Sequence, residues 1–259
     1  MPRLSGKRIL VTGAGGGLGR AISERLLSEG AAVVATDHDE AALRKTTSGL
    51  AQAGDVTPIV ADLLKDAAIA ALAADASRQG AIDGLVNCAG LYPNTPVLDL
   101  SATEWDQVLG LNLRAPFLLT KALIPALRER GGAIVNISST ASVLARPGIA
   151  HYGASKAGLS QLTRVLAVEL APFKIRVNAV LPGVIATERV MSKSDTPEAA
   201  AEMTAKIARI PQRRLGQPDE VAPLVAYLLS DEASYVTGAL MTVDGGFSLG
   251  IATYGQDAV

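Results

Sequence analysis

The sequence predicts an α/β protein on one parallel sheet of about seven strands, doubly wound, with helices on both faces. Three observations carry this. Short apolar runs ending in turn residues alternate with longer helix-like stretches along the chain, the rhythm of a parallel sheet covered on both sides. Hydrophobic residues make up 49% of the chain but aromatic residues only 3%. The core must therefore be Ala, Val, Leu and Ile, which suits helices packed closely on fully buried strands. Finally, a glycine-rich turn, "TGAGGGLG", joins the first apolar run to the first helical stretch.

Taken in order, "KRILVTG" is the first strand and a helix follows from Leu18 to Ser28. "AAVVATD", "VTPIVADL", "IDGLVNCAG" and "GGAIVNISS" are the second to fifth strands, each of strand length and bounded by Gly, Asp, Asn or Ser. "KIRVNAVLPG" is the sixth and "ALMTVDGG" the seventh. Thr103–Arg128 and Tyr152–Leu170 have helical length. Pro116 and Pro125 should bend or break the first of these, because proline lacks the helical N–H. One segment, Ile185–Pro218, breaks the rhythm with a polar excursion whose middle, Pro197–Ile210, looks helical. It is either a lid over a binding site or a surface helical hairpin. No linker or repeat divides the chain, so residues 1–259 read as one domain.

The net charge of −1 lacks the basic footprint of a nucleic-acid binder. One cysteine, Cys88, excludes a disulfide within the chain, and two histidines make a metal site an unpromising reading. The apolar run in "MPRLSGKRILVTG" is too short for a signal segment. No uninterrupted apolar run of roughly 18 residues stands out. The expectation is a cytoplasmic protein with no membrane or nucleic-acid partner.

The glycine turn points to an anion. Gly13, Gly17 and Gly19 allow a tight turn and a close backbone approach, and a helix N-terminus presents free amides to a pyrophosphate. Three residues separate Gly13 from Gly17, which departs from the usual G-x-G-x-x-G. Asp37 ends the second strand, where an acid bonds the adenosine ribose and repels a 2′-phosphate. Gly16 leaves no cation before Gly17, and His38 is a poor substitute. Both features favour NAD over NADP. Asp62, ending the third strand, is either an acceptor for adenine or a helix N-cap.

In "HYGASKAGL", Tyr152 and Lys156 stand four apart, on one face of a helix. A fixed cation beside a phenol lowers its pKa from the ordinary value of about 10, making a usable proton donor or acceptor. Alone, the spacing also fits a half-buried tyrosine with a surface lysine.

Together these motifs resemble the short-chain dehydrogenase/reductase family, in the family's order along nearly the whole chain. "TGAGGGLG" matches its T-G-x-x-x-G-x-G loop, which accounts for the glycine spacing. "NCAG" (Asn87–Gly90) is similar to N-N-A-G with Cys88 in place of the second Asn. Asn112 in "LNL", Ser139 thirteen residues before Tyr152, "YGASK" for Y-x-x-x-K, and "NAVLPGVIAT" complete the set. The resemblance implies a Rossmann-like fold and hydride transfer between NAD and a secondary alcohol or ketone. It implies that Tyr152 exchanges the proton, Lys156 lowers its pKa and holds the nicotinamide ribose, Ser139 orients the substrate oxygen, and Asn112 holds a water linking Lys156 to solvent. Ser138 is the neighbour that the spacing disfavours. Cofactor contacts carry over to Gly13, Gly16, Gly17, Leu18, Gly19, Asp37, Asp62, Leu63, Asn87, Ala89, Gly90, Pro182, Gly183, Ile185 and Thr187, with Tyr152 and Lys156.

The substrate is less legible. By analogy with the family, "LYPNTP", "SVLARPGIAH" and the excursion after Thr187 line the pocket. They offer Tyr92, Leu144, Arg146, His151, Glu188 and Arg189 beside Ser139. This mixture suits a polyol, a sugar or a hydroxyacid. Arg146 is either a carboxylate site or a solvated arginine. A 3-oxoacyl reductase is the alternative, and Asp37 counts against it; a non-catalytic NAD-binding regulator or a structural subunit comes after. The resemblance also implies a homotetramer or homodimer. The tail "SLGIATYGQDAV" either reaches a neighbouring subunit or frays.

Overall fold

The computed structural model describes residues 2–192 and 197–250. The chain runs β1 (Arg8–Thr12), α1 (Gly17–Ser28), β2 (Ala32–Asp37), α2 (Glu40–Leu50), β3 (Val56–Val60), α3 (Asp66–Arg78) and β4 (Gly84–Asn87). It continues through α4 (Ala102–Leu109), a π-helical turn (Gly110–Arg114), α5 (Ala115–Leu127), β5 (Gly132–Ile137), α6 (Ala150–Leu170) and β6 (Ile175–Pro182). It closes with α7 (Glu188–Met191), α8 (Pro197–Ala208), α9 (Pro218–Leu229) and β7 (Leu240–Val243).

The strands form one sheet in the order β3-β2-β1-β4-β5-β6-β7, every pair parallel. Register follows apolar matching: Leu10 faces Val34 on one side and Leu85 on the other. Alternate strand residues feed two cores. Ile9, Val11, Val33, Ala35 and Val135 pack with Ile22 and Leu26 of α1, Leu43 of α2 and Val225 of α9. Leu10, Val34, Leu85, Ile134 and Val177 pack with Leu72 of α3, Leu119 and Leu123 of α5, and Leu166 of α6. Each fully buried Leu or Ile contributes roughly 1.5–3 kcal/mol. Pro58 sits inside β3, which pairs only with β2. A proline is tolerated there because an edge strand has an unpaired side.

The expected break in the Thr103–Arg128 stretch falls just before Pro116, at the π turn. Pro116 lies in the first turn of α5 and cannot donate to the Asn112 carbonyl four residues back. Pro125 sits inside α5, which runs only to Leu127. The continuous stretch Ala102–Leu127 has a mean hydropathy of 1.2 over its 18-residue window, enough by length and composition to cross a membrane. The apolarity has a local reason, since Leu119, Leu123 and Leu127 are buried against the sheet.

The strand order reverses direction between β1 and β4. In doubly wound sheets the crevice at the carboxyl ends beside that reversal holds the ligand. The Ile185–Pro218 excursion starts and ends at one point: Ile185 bridges Gly216, with the Ala186 N–H 2.8 Å from the Gly216 oxygen. Residues 193–196 of the excursion, and 251–259 of the tail, lie outside the described residues.

Candidate active site

The glycine loop is built for close approach. Gly13 has φ +69°, and a Cβ there would lie 2.8 Å from the Ala89 Cα. A Cβ on Gly19 would overlap the Gly13 carbonyl oxygen. Gly17 has φ +51° and faces the Thr187 side chain, whereas Gly16 opens onto free space. α1 has no side-chain cap, so its first amides stay available to an anion. Leu18 packs on the core below. Thr12, which motif reading quoted but assigned no role, ties the loop to β4. Its hydroxyl accepts from the Cys88 and Ala89 N–H groups at 2.9 and 3.0 Å.

Asp37 points back into the loop. One carboxylate oxygen accepts from the Gly15 N–H at 3.0 Å, and the other meets His38 at 2.9 Å. Asp62 accepts from the Leu64 N–H at 3.0 Å and pairs with Lys65. These contacts, the Leu64 N–H first, hold its carboxyl below the usual range. The N-cap of α3 is Lys65, so the capping alternative for Asp62 falls away. Leu63 beside it is buried. Asn87 spends its amide on Asn136 at 2.8 Å, and Asn136 donates to Thr163 at 2.9 Å. This chain locks β4, β5 and α6 together. Across the crevice Pro182 pairs with Val243, and a Cβ on Gly183 would lie 2.8 Å from the Asp244 Cα. Ile185 is buried, and the Thr187 hydroxyl is buried without a hydrogen-bond partner.

Those features fit a dinucleotide. The free amides of α1 would suit a pyrophosphate, Asp37 at the end of β2 would suit a ribose, and the orphaned Thr187 Oγ1 over Gly17 would take a polar partner.

The carboxyl ends of β5 and the start of α6 bring the reactive groups together. The Ser139 hydroxyl accepts from the Ala141 N–H at 3.1 Å and lies near enough to the Tyr152 phenol to pull its pKa down. Ser138 turns the other way, to the Lys156 carbonyl at 3.0 Å and the Ser160 hydroxyl at 2.8 Å. The Lys156 ammonium lies 5.9 Å from the Tyr152 ring centroid and donates to the Ile137 carbonyl at 2.7 Å. Burial pushes its pKa down to about 8. Burial also dominates Tyr152 and pushes the phenol up, while the Ser139 hydroxyl and the Arg146 charge pull it down. The expectation that Lys156 by itself brings Tyr152 toward neutrality is thus corrected. The ammonium is committed to Ile137 and is not among the groups that shift the phenol. The Cys88 thiol, pushed up to about 12 by burial, is no nucleophile at neutral pH.

Asn112 is fully buried, and its side chain is already engaged. Its Oδ1 accepts from the Leu91 N–H and its Nδ2 donates to the Leu91 oxygen, both at 2.8 Å. Nδ2 also reaches Ser155 at 3.1 Å. Gly90 lies beside both Asn112 and Lys156, since its Cβ would be 3.1 Å from Oδ1 and 3.7 Å from Nζ. Pro116, four residues on, has no N–H to offer the Asn112 main-chain carbonyl.

Among the substrate candidates, Tyr92 meets Tyr152 edge-on with ring centroids 6.3 Å apart. Arg189 stacks on Tyr92 at 4.5 Å. Arg146 donates to Asn94 at 3.3 Å. Leu144 and Arg146 line a cleft of about 340 Å³ against Gly153, Ala154 and Ala157 of α6. Glu188 is exposed at the start of α7. His151 is the correction. It is wholly buried, with Nε2 3.2 Å from Glu104 of α4, so no substrate reaches it. One residue along a helix turns a side chain by about 100°, which separates it from Tyr152.

A nicotinamide-dependent oxidoreductase is the class that this crevice and its Ser–Tyr–Lys grouping define. Comparison with known proteins makes it particular. The family model described as enoyl-(acyl carrier protein) reductase matches residues 13–248. The 3-oxoacyl-(acyl-carrier-protein) reductase FabG of Thermotoga maritima is 39% identical over 249 residues, covering 94% of this chain and 98% of the relative. The cyclopentanol dehydrogenase of a Comamonas strain is 38% identical, covering 96% of this chain and 99% of the relative. A solved structure from Burkholderia xenovorans, described as a short-chain dehydrogenase/reductase, superposes with a TM-score of 0.93 at 38% identity, covering 97% of this chain and all of that one. The chain belongs to the short-chain dehydrogenase/reductase family.

Proposed function

We propose that this oxidoreductase moves a hydride between NAD(H) and a secondary alcohol or ketone, with Ser139, Tyr152 and Lys156 as its catalytic residues. The observation that carries the reading is the grouping of Ser139, Tyr152 and a buried Lys156 ammonium, 5.9 Å from the Tyr152 ring, at the carboxyl edge of the sheet. Nicotinamide supplies or accepts the hydride when bound. Ser139 and Tyr152 together hold the substrate oxygen, and Tyr152 gives or takes its proton. Lys156 supplies positive charge behind the phenol and is the group through which the proton leaves. The Asn112 carbonyl is the acceptor for a water on that route, while the Asn112 side chain fixes the Leu91 backbone.

Asp37 supports NAD over NADP, because its carboxylate stands at the end of β2 and repels a 2′-phosphate. We expect Asp37→Ala to narrow the NAD-over-NADP preference in kcat/KM by roughly 10–100-fold, the value of a charge-assisted hydrogen bond or two. NADH and NADPH formation with a panel of secondary alcohols measures this. Loss of the Gly15 contact weakens both cofactors alike, so the ratio is the readout. An unchanged ratio removes Asp37 from the ribose site. Reduction of a 3-oxoacyl thioester is the second reading, favoured by the likeness to the Thermotoga maritima reductase.

The assembly is proposed to be a homotetramer, or at least a homodimer. The outer faces of α5 and α6 expose Phe117 at 41% and Val168 at 77%, apolar area of the kind that subunit contacts cover. Sedimentation should show no significant monomer at micromolar concentration; monomer alone would refute the assembly.

A further inference from the structure

Two arginines from different elements lie near Tyr152, one through Tyr92 and one through its charge. Neither forms an ion pair with a carboxylate among the described residues. Arg189 comes from α7 and lies flat on Tyr92, its guanidinium carbon 4.5 Å from the ring centroid. Tyr92 in turn touches Tyr152 edge-on. Arg146 comes from the loop before α6. It donates to Asn94 at a long 3.3 Å, and its charge acts on the Tyr152 phenol. The short loop after β4 thus presents Tyr92 to one arginine and Asn94 to the other.

That loop is fixed at both ends. Asn112 holds Leu91 through two hydrogen bonds of 2.8 Å. The Thr95 N–H donates to the Gly148 carbonyl at 2.8 Å. Gly148 has φ +80°, and a Cβ there would overlap the Asn94 side chain. The groups that the arginines touch, Tyr92 and Asn94, therefore lie on a braced loop.

Arg44, Arg130 and Arg214 pair with Glu40, Asp83 and Glu220, whereas Arg20, Arg128 and Arg164, like Arg146 and Arg189, form no ion pair among the described residues. The acid nearest Arg189 in sequence, Glu188, forms no ion pair with either arginine among the described residues. Glu104, behind the loop, already accepts from Thr95 at 2.7 Å and meets His151. A guanidinium stacked on an aromatic face keeps its N–H edge for a planar oxyanion, which it binds in a fork.

We propose that the site takes an anionic substrate: a secondary alcohol or ketone bearing a carboxylate, gripped by Arg189 and Arg146 while its carbinol oxygen meets Ser139 and Tyr152. This rests on the oxidoreductase reading above and narrows it to hydroxyacids and oxoacids. Polyols and sugars become poor substrates. The balance of the step is the ordinary one. The carbinol C–H leaves as hydride to the nicotinamide, the O–H proton goes to Tyr152, and the carboxylate is unchanged.

The test uses the full-length protein with NAD and with NADP. 2-Hydroxybutyrate, 3-hydroxybutyrate and 5-hydroxyhexanoate are each assayed beside the methyl ester and the amide, with 2-butanol and cyclohexanol as neutral controls. At least one acid should exceed its own ester in kcat/KM by 10-fold or more, chiefly through KM. Arg189→Ala and Arg146→Ala should each cut that acid-over-ester preference by roughly 10-fold or more, and Arg189→Lys should restore only part of it. Melting temperatures near wild type show that the variants are folded. Turnover of neutral compounds with no acid preference leaves the dehydrogenase standing and overturns the anionic site. So does a preference that neither arginine variant changes. Silence from every compound with both cofactors overturns the oxidoreductase reading and this inference with it.

Discussion

Tyr152→Phe should lower kcat by ~10²–10⁴-fold, the range a positioned proton donor supplies, while cofactor affinity stays near wild type. The substitution is clean for a structural reason. The ring keeps its edge-on contact with Tyr92. Ser139 keeps the Ala141 N–H as a partner, so losing the phenol strands no buried polar group. Steady-state turnover beside a fluorescence titration with NADH separates the two effects. Turnover above about a tenth of wild type would take the proton transfer away from Tyr152.

Lys156→Met should act on two properties with opposite signs. Turnover should fall by orders of magnitude, because the charge behind the phenol and the proton outlet are lost together. Stability should shift with pH in a defined direction. The buried ammonium has its pKa pushed down from 10.5 to about 8. Between those values the unfolded chain binds the proton and the folded one does not, so wild-type stability rises with pH through that window. Below pH 8 the folded protein carries the full cost of the buried charge, about 3 kcal/mol for a shift of this size. Methionine has no such cost, although it leaves the Ile137 carbonyl without its 2.7 Å partner. The free-energy gap between variant and wild type should therefore move in favour of wild type by up to about 3 kcal/mol from pH 8 to pH 10.5. Denaturant unfolding of both proteins at the two ends of the window tests this. Parallel stabilities would mean that Lys156 titrates as an ordinary lysine.

Much of the architecture was legible in the chain because its signals are local. Strands such as β1 and β5 are short apolar runs closed by turn residues, and the uncapped start of α1 is written in consecutive glycines. The break near Pro116 was legible from the missing N–H, but not the π turn that places it. Spacing favours Ser139 over Ser138, and the two hydroxyls have different partners: Ser139 takes the Ala141 N–H, Ser138 the Lys156 carbonyl and Ser160. His151 could not be read in the same way. Adjacent to Tyr152 in sequence, it faces α4, and only the packing of that helix decides that its partner is Glu104. The engagement of Asn112 with Leu91 and Ser155 was equally hidden, since those three residues meet only when β4, the π turn and α6 converge.

By itself, the sequence determined the order of strands and helices, the glycine turn that admits an anion, the acid at the end of the second strand, and the tyrosine–lysine pair on one helical face. Each depends on backbone conformation or spacing within a few residues, which the chain specifies locally. Only the tertiary structure decided what surrounds them: the desolvation that moves Lys156 and Tyr152 in opposite directions, the commitment of the Asn112 side chain, and the stacking of Arg189 on Tyr92 beside Tyr152. Those depend on burial and on contacts between segments 20 to 100 residues apart. Dielectric and side-chain partnership are properties of the packed chain, and no run of neighbouring residues encodes them.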